Sequence, residues 1–244
     1  MISEKNKRGS HVGMIISFIV FVTFIVFLYS VVRPVVSIGQ DKKTIADYLV
    51  VKIVENVSSD FNSTSVQILD NVPQDCISLT GFFTLLVNDG ITFESLVQNE
   101  FRVLQTESYR NVIGDLVIDR TDSDNTFFRI YTSAEYDALS EREGCVSIPQ
   151  NSYKIGGITS NRYPFKHNFE FLIASYEANY TQLKVDWNIP AGTDFGFEFT
   201  ESDGTKTEVG EIPESVDVYA EEIPLQYIDE EANILSGFIN IKVW

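Results

Sequence analysis

The 21 residues from position 12 to position 32 carry no charge, and only Gly13, Ser17, Thr23, Tyr29 and Ser30 interrupt their apolar character. A helix of that length rises about 31 Å at about 1.5 Å per residue, against a bilayer core about 30 Å thick. A cleavable secretory signal usually has an apolar region of only about 7–15 residues and a small-residue cut site, whereas here the longer run is followed by Val31-Val32-Arg33. Residues 12–33 therefore read as a retained transmembrane helix, helical because lipid offers no partners to unpaired backbone groups. Lys5, Lys7 and Arg8 crowd its N-terminal side, while Arg33 stands alone until Lys42 and Lys43. That asymmetry places residues 1–11 in the cytoplasm and the bulk of the chain outside. Phe18, Phe21, Phe24 and Phe27 recur every third residue. With no small-xxx-small face beside them, they read as lipid-facing rather than as a helix-pairing stripe.

The external portion is strongly acidic. Of 18 Lys+Arg and 35 Asp+Glu, four basic residues and one acidic residue lie in the first 40 positions, which leaves 14 against 34 and a net charge of −20 beyond them. Such a surface repels nucleic-acid phosphate, so nucleic acid is excluded as a partner.

Lys7-Arg8-Gly9, a basic pair and a glycine directly ahead of the apolar run, resembles the class III signal of archaeal type IV pilins and archaellins. The resemblance covers about 30 residues at the N-terminus. It implies cleavage between Gly9 and Ser10 by a dedicated peptidase, an archaeal source, and an apolar helix that becomes the core of a filament. The fifth residue of the implied mature chain is Met14, where these pilins commonly carry Glu.

Beyond Pro34 and Gly39, where the membrane helix is expected to end or bend, the period stays helical. Ile45, Ala46, Leu49, Val50, Ile53, Val54 and Val57 fall on one side, with Asp47, Lys52, Glu55 and Asn56 on the other. This predicts a short amphipathic helix within residues 34–62, with Asp41 as N-cap. From about residue 64 the period becomes two. "FFTLLVNDGITFESLV" reads as a hairpin across Asp89-Gly90, and "GDLVID" and "TFFRIY" as strands flanking a polar turn. Residues 183–188 alternate Leu183, Val185 and Trp187 with Lys184, Asp186 and Asn188; Phe195, Phe197 and Phe199 alternate likewise, then Val216 and Val218, then Ile239, Ile241 and Val243. Residues 63–244 are thus expected to form an antiparallel β-sandwich-like, extracytoplasmic domain, as one unit or two small ones.

Cys76 and Cys145 are the only cysteines, and a disulfide is the natural expectation outside the cytoplasm. Sequons at Asn56, Asn62 and Asn179 fit the same placement. No catalytic constellation emerges. His11 falls at the membrane edge, which leaves His167 alone, and no HExxH, CxxC, Walker or dinucleotide-binding pattern occurs. Asp119, Asp122 and Asp124 loosely suggest a calcium loop but lack its Gly and distal Glu, so a solvated acidic turn is the preferred reading. The pair Glu221-Glu222 reads as exposed edge rather than a general acid and base. The expected protein is a non-enzymatic, membrane-anchored cell-envelope subunit with no cofactor. It would be pilin-like or part of a surface assembly, with the lipid bilayer, its own copies or other envelope proteins as partners. The alternative is an anchored module that binds a ligand, carbohydrate or protein through its loops.

Overall fold

The computed structural model describes residues 8–70, 72–86, 94–101, 108–110, 114–120 and 124–244, with side chains at all of these except 8–12, 30–40 and 108–109. The described chain is mainly β, built from antiparallel sheets with three α-helices. Helix α1 spans Arg8–Val57 as one 50-residue element. It does not end at Pro34 or Gly39, and Asp41 lies inside it rather than at its N-cap. Proline removes only one donor from such a helix, while the long segments on either side keep their own hydrogen-bonded ladders. Every described side chain from 13 to 29 is exposed. Among the described residues no helix is long and apolar enough to cross a membrane; the apolar run itself extends beyond the described side chains at both ends.

The amphipathic segment behaves as its spacing demands. Ala46, Leu49, Ile53 and Val57 are buried, while Asp47, Glu55 and Asn56 are exposed. They pack beside α3 (Lys166–Asp186) onto one face of a four-stranded sheet ordered β11 (Lys206–Val209), β10 (Phe195–Thr200), β13 (Ile234–Val243), β12 (Tyr219–Ile228). Phe195, Phe197 and Phe199 of β10 and Ile239, Ile241 and Val243 of β13 form the sheet's side of this core, as their alternation predicts.

Between α1 and α3 the chain makes a second core. β1 (Ser58–Ile68), β3 (Ser95–Asn99), β6 (Phe127–Thr132), β8 (Tyr153–Ile155) and β9 (Thr159–Pro164) form one sheet. β2 (Cys76–Leu79), β4 (Ser108–Arg110), β5 (Leu116–Asp119) and β7 (Val146–Ile148) form the other. Val66, Phe128 and Ile130 from the first meet Ile77, Leu79, Leu116 and Ile118 from the second, with Phe82, Phe83 and Leu86 of the short α2 (Phe82–Leu86). This is a β-sandwich inserted between two helices. Its ends are stitched together, since Ser58 pairs with Pro164. Two of the last carbonyls of α1 find partners there as well: Phe165 N–H donates to Val57 O at 2.9 Å, and Arg162 Nη2 donates to Glu55 O at 3.2 Å and to Ser58 O of β1 at 3.0 Å. These bonds do the work of a glycine C-cap.

Four sequence expectations are corrected. Residues 183–186 close α3 instead of forming a strand. Apolar positions Phe169, Leu172, Ile173, Tyr176, Leu183 and Trp187 follow helical spacing, and Leu183 and Trp187, four apart, share a face under either period. Only Val185 discriminates, and it is 63% exposed. The head is consequently not all-β, because two helices cover its C-terminal sheet. The first arm of the expected hairpin is α2, while Asp89-Gly90 lies outside the described residues; β3 pairs with β6 instead. Val216 and Val218 are exposed and precede β12.

Candidate functional site

Three surfaces carry chemistry. The first is the exposed apolar arm of α1. Its one internal threonine turns its hydroxyl back on the helix, Thr23 Oγ1 donating to Ile19 O at 3.0 Å and Val20 O at 2.9 Å. That local bonding spares an apolar surrounding an unpartnered hydroxyl.

The second is a cleft of about 410 Å³ where the two cores meet, lined among others by Ser95, Glu135, Tyr136, His167 and Glu230. Ser59 Oγ on β1 donates to Glu135 Oε1, and His167 Nε2 in the first turn of α3 lies 2.9 Å from Glu135 Oε2. The carboxylate sits between hydroxyl and imidazole, so the imidazole is not placed to take the Ser59 proton as nucleophilic catalysis requires. Burial pushes the Glu135 carboxyl up, but hydrogen bonds from Ser59, His167 and Asn168 outweigh it and hold the carboxyl below its ordinary 4.5. The cluster is a polar tie between sandwich and helix–sheet unit. Beside it, Gln98 Nε2 donates to Glu231 O, and Phe61, Phe165, Ile228 and Ala232 form the apolar part of the junction.

The third is an open groove of about 940 Å³ running from α3 past the end of β11 to the end of β13. Its shape depends on two glycines. Gly210 adopts φ +94°, and a Cβ there would come within 2.6 Å of Gly196 Cα and 2.9 Å of the Tyr176 hydroxyl. Tyr180 Oη donates to Asp194 Oδ1 at 2.9 Å and accepts from Phe195 N–H at 3.1 Å, and Lys184 Nζ reaches the same carboxylate at 2.7 Å. The Lys184 hydrogen bond holds Asp194 below its ordinary value against the upward push of its burial. Burial pushes the Tyr176 hydroxyl up to about 12 and raises Tyr180 as well. Lys242 Nζ pairs with Glu208 across the sheet at 3.2 Å, and Glu177, Glu211 and Trp244 complete the wall. The groove thus presents tyrosine hydroxyls beside carboxylates on an open wall.

The expected site residues are scattered. Cys76 and Cys145 form a disulfide, with Cα atoms 5.0 Å apart. Asp119 is ion-paired with Arg142 at the end of β5, Asp122 lies outside the described residues, and Asp124 is exposed; no group of metal-ligating side chains occurs among the described residues. Asn56 is exposed at the end of α1, Asn62 is buried in β1, and Asn179 is exposed on α3. Gly9 and Ser10 lie in the first turn of α1, with Lys7 outside the described residues. Glu221 and Glu222 stand on β12, the edge of its sheet, with Glu221 3.5 Å from Lys43. Sequence reading missed Ser59, Glu135 and the groove. No local spacing unites residues 59, 135 and 167, although Tyr176, Tyr180 and Lys184 at helical intervals were a signal for one wall of the groove.

Glu135, Asp194 and Glu198 are all held below their ordinary values, Glu198 chiefly by its hydrogen bond from Lys206. A depressed folded value contributes stability that is full above the ordinary pKa and lost as pH falls through the folded one. Melting temperature is thus expected to hold down to about pH 5 and drop below about pH 4. Glu135→Gln should lower it at neutral pH and flatten that acid limb, read by thermal melts across the range.

No protein-family model, curated protein or solved structure matches the chain.

Proposed function

We propose that this chain is a membrane-anchored, pilin-like subunit of a cell envelope. Its N-terminus would be cytoplasmic, residues 12–33 would lie in the bilayer, and the acidic head would be extracytoplasmic. The observation that carries this reading is the two-part helix. The segment 13–29 is exposed and apolar on every side, yet it continues without a break into 46–57, whose apolar stripe is buried in the head. Water is a poor solvent for the first part, and lipid or the matching helices of other subunits are good ones. The internally bonded Thr23 and the basic N-terminal flank fit the same placement. No step of the reading requires catalysis; its partners are the bilayer, further copies and other envelope proteins. The disulfide suits an oxidising exterior.

A second reading, an anchored binding module, is favoured by the 940 Å³ groove, where tyrosines and carboxylates line an open wall. Filament density from envelope preparations supports the first; a monomeric anchored chain with an occupied groove supports the second.

The test is made on native cells. Protease added outside is expected to digest the chain beyond residue 40, and N-terminal sequencing of the purified protein is expected to start at Ser10. Full protection of the head sinks the external placement, and an N-terminus at Met1 sinks the class III processing while leaving the anchor standing.

A further inference from the structure

We infer that Asn179 is the N-linked glycosylation site of this protein and that the sequons at Asn56 and Asn62 stay bare. The inference rests on the external placement proposed above. Transfer to an Asn-x-Ser/Thr sequon needs two groups presented together to a large enzyme, the acceptor amide and the hydroxyl two residues on. The amide Nδ2 bonds to the anomeric carbon of a lipid-diphosphate-linked saccharide. The carbon–oxygen bond to the diphosphate breaks, the diphosphate leaves with the electron pair, and the amide proton passes to a base on the transferase. The reaction therefore demands that the asparagine amide and the hydroxyl both be accessible, with the backbone out of regular geometry at the asparagine.

Two sequons fail on geometry. Asn62 is 9% exposed and Thr64 4%, on a strand paired on both sides by β6 and β9. Asn56 is exposed, but its Nδ2 donates to Lys52 O at 3.0 Å, Val57 beside it is in the core and Ser58 is only 7% exposed.

Asn179-Tyr180-Thr181 differs at both reacting groups, although the Tyr180 side chain between them packs against the core. Asn179 and Thr181 are both exposed. The backbone at Asn179 leaves the helix, with φ −155° and ψ 58°, so α3 is interrupted there. The side chain uses its oxygen and not its nitrogen for the local bond: Gln182 N–H donates to Asn179 Oδ1 at 3.4 Å, the N-cap arrangement that restarts the helix. The interruption opens the one sequon of the three whose amide and hydroxyl both face solvent.

The experiment takes the protein from the envelope of its own cells, reduces it and digests it with trypsin. Cleavage after Lys166 and Lys184 puts Asn179 on peptide 167–184, while cleavage after Lys52 and Arg102 puts Asn56 and Asn62 together on peptide 53–102. Mass spectrometry is expected to find saccharide on 167–184 and an unmodified 53–102. Thr181→Ala should abolish the modification and Thr181→Ser retain it. A bare 167–184, saccharide on 53–102, or modification surviving Thr181→Ala overturns the inference. Protease accessibility measured on the same cells separates the two readings. A bare Asn179 on an externally digested head overturns the glycosylation alone, whereas a bare Asn179 on a protected head overturns both.

Discussion

Phe197→Ala is expected to destabilise the helix–sheet unit by about 3–5 kcal/mol. Phe197 is fully buried at the centre of β10, opposite Val209 on one side and Ile241 on the other, with the Tyr176 ring edge-on at 6.1 Å. Truncation removes the transfer energy of the ring and leaves a cavity between two helices and a sheet that are held by other contacts and collapse only in part. At about 2–4 °C per kcal/mol for a chain of this size, the melting temperature should fall by about 6–20 °C. Val185→Ala is the matched control: on a strand of alternating residues Val185 would be core, but on the outer side of α3 its loss should cost no more than about 0.5 kcal/mol. Thermal melts of the purified chain decide it. If Val185→Ala proved as damaging as Phe197→Ala, the helical assignment of 166–186 would be wrong.

Replacing Cys76 and Cys145 together by Ser is expected to cost about 4 kcal/mol, the loop-closure value for a link between residues 69 apart. The bond joins the first residue of β2 to the residue before β7, immediately ahead of the parallel pairing of Ile77 with Val146. A three-residue strand paired in parallel has few bonds of its own, so the covalent link also pins its register. Urea unfolding should show a lower midpoint for the double variant and the same lower midpoint for the native protein under reductant. An unchanged midpoint in both would mean that the sandwich holds β7 without the link.

Much of this arrangement is legible in the sequence. The stripe of Ala46, Leu49, Ile53 and Val57 and the alternations at 195–199 and 239–243 stand where their spacing placed them, and the only two cysteines are bonded to each other. β12 was hidden for a physical reason. Pro224 breaks its pattern, and it is tolerated because β12 is an edge strand whose outer side needs no donor. Its turn is likewise built from side chains, Asp229 Oδ1 accepting from Glu231 N–H and Asn233 N–H, while Ala232 takes a positive φ of 65° where a glycine would advertise the bend.

By itself the sequence determined much of what depends on local periodicity and composition: the apolar run, the acidic charge of the rest, which face of the strands at 195–199 and 239–243 is buried, and the absence of any recognised catalytic motif. Tertiary structure alone decided whatever depends on which partner covers a face. Leu183 and Trp187 are compatible with strand or helix until α1 and β10 are present to receive them, because a spacing of four satisfies both periods. Ser59, Glu135 and His167 meet only because β1, the segment after β6 and the start of α3 converge where the sandwich is inserted. Sequence separation carries no information about that convergence, which is fixed by the pairing of Ser58 with Pro164 at the neck of the insertion.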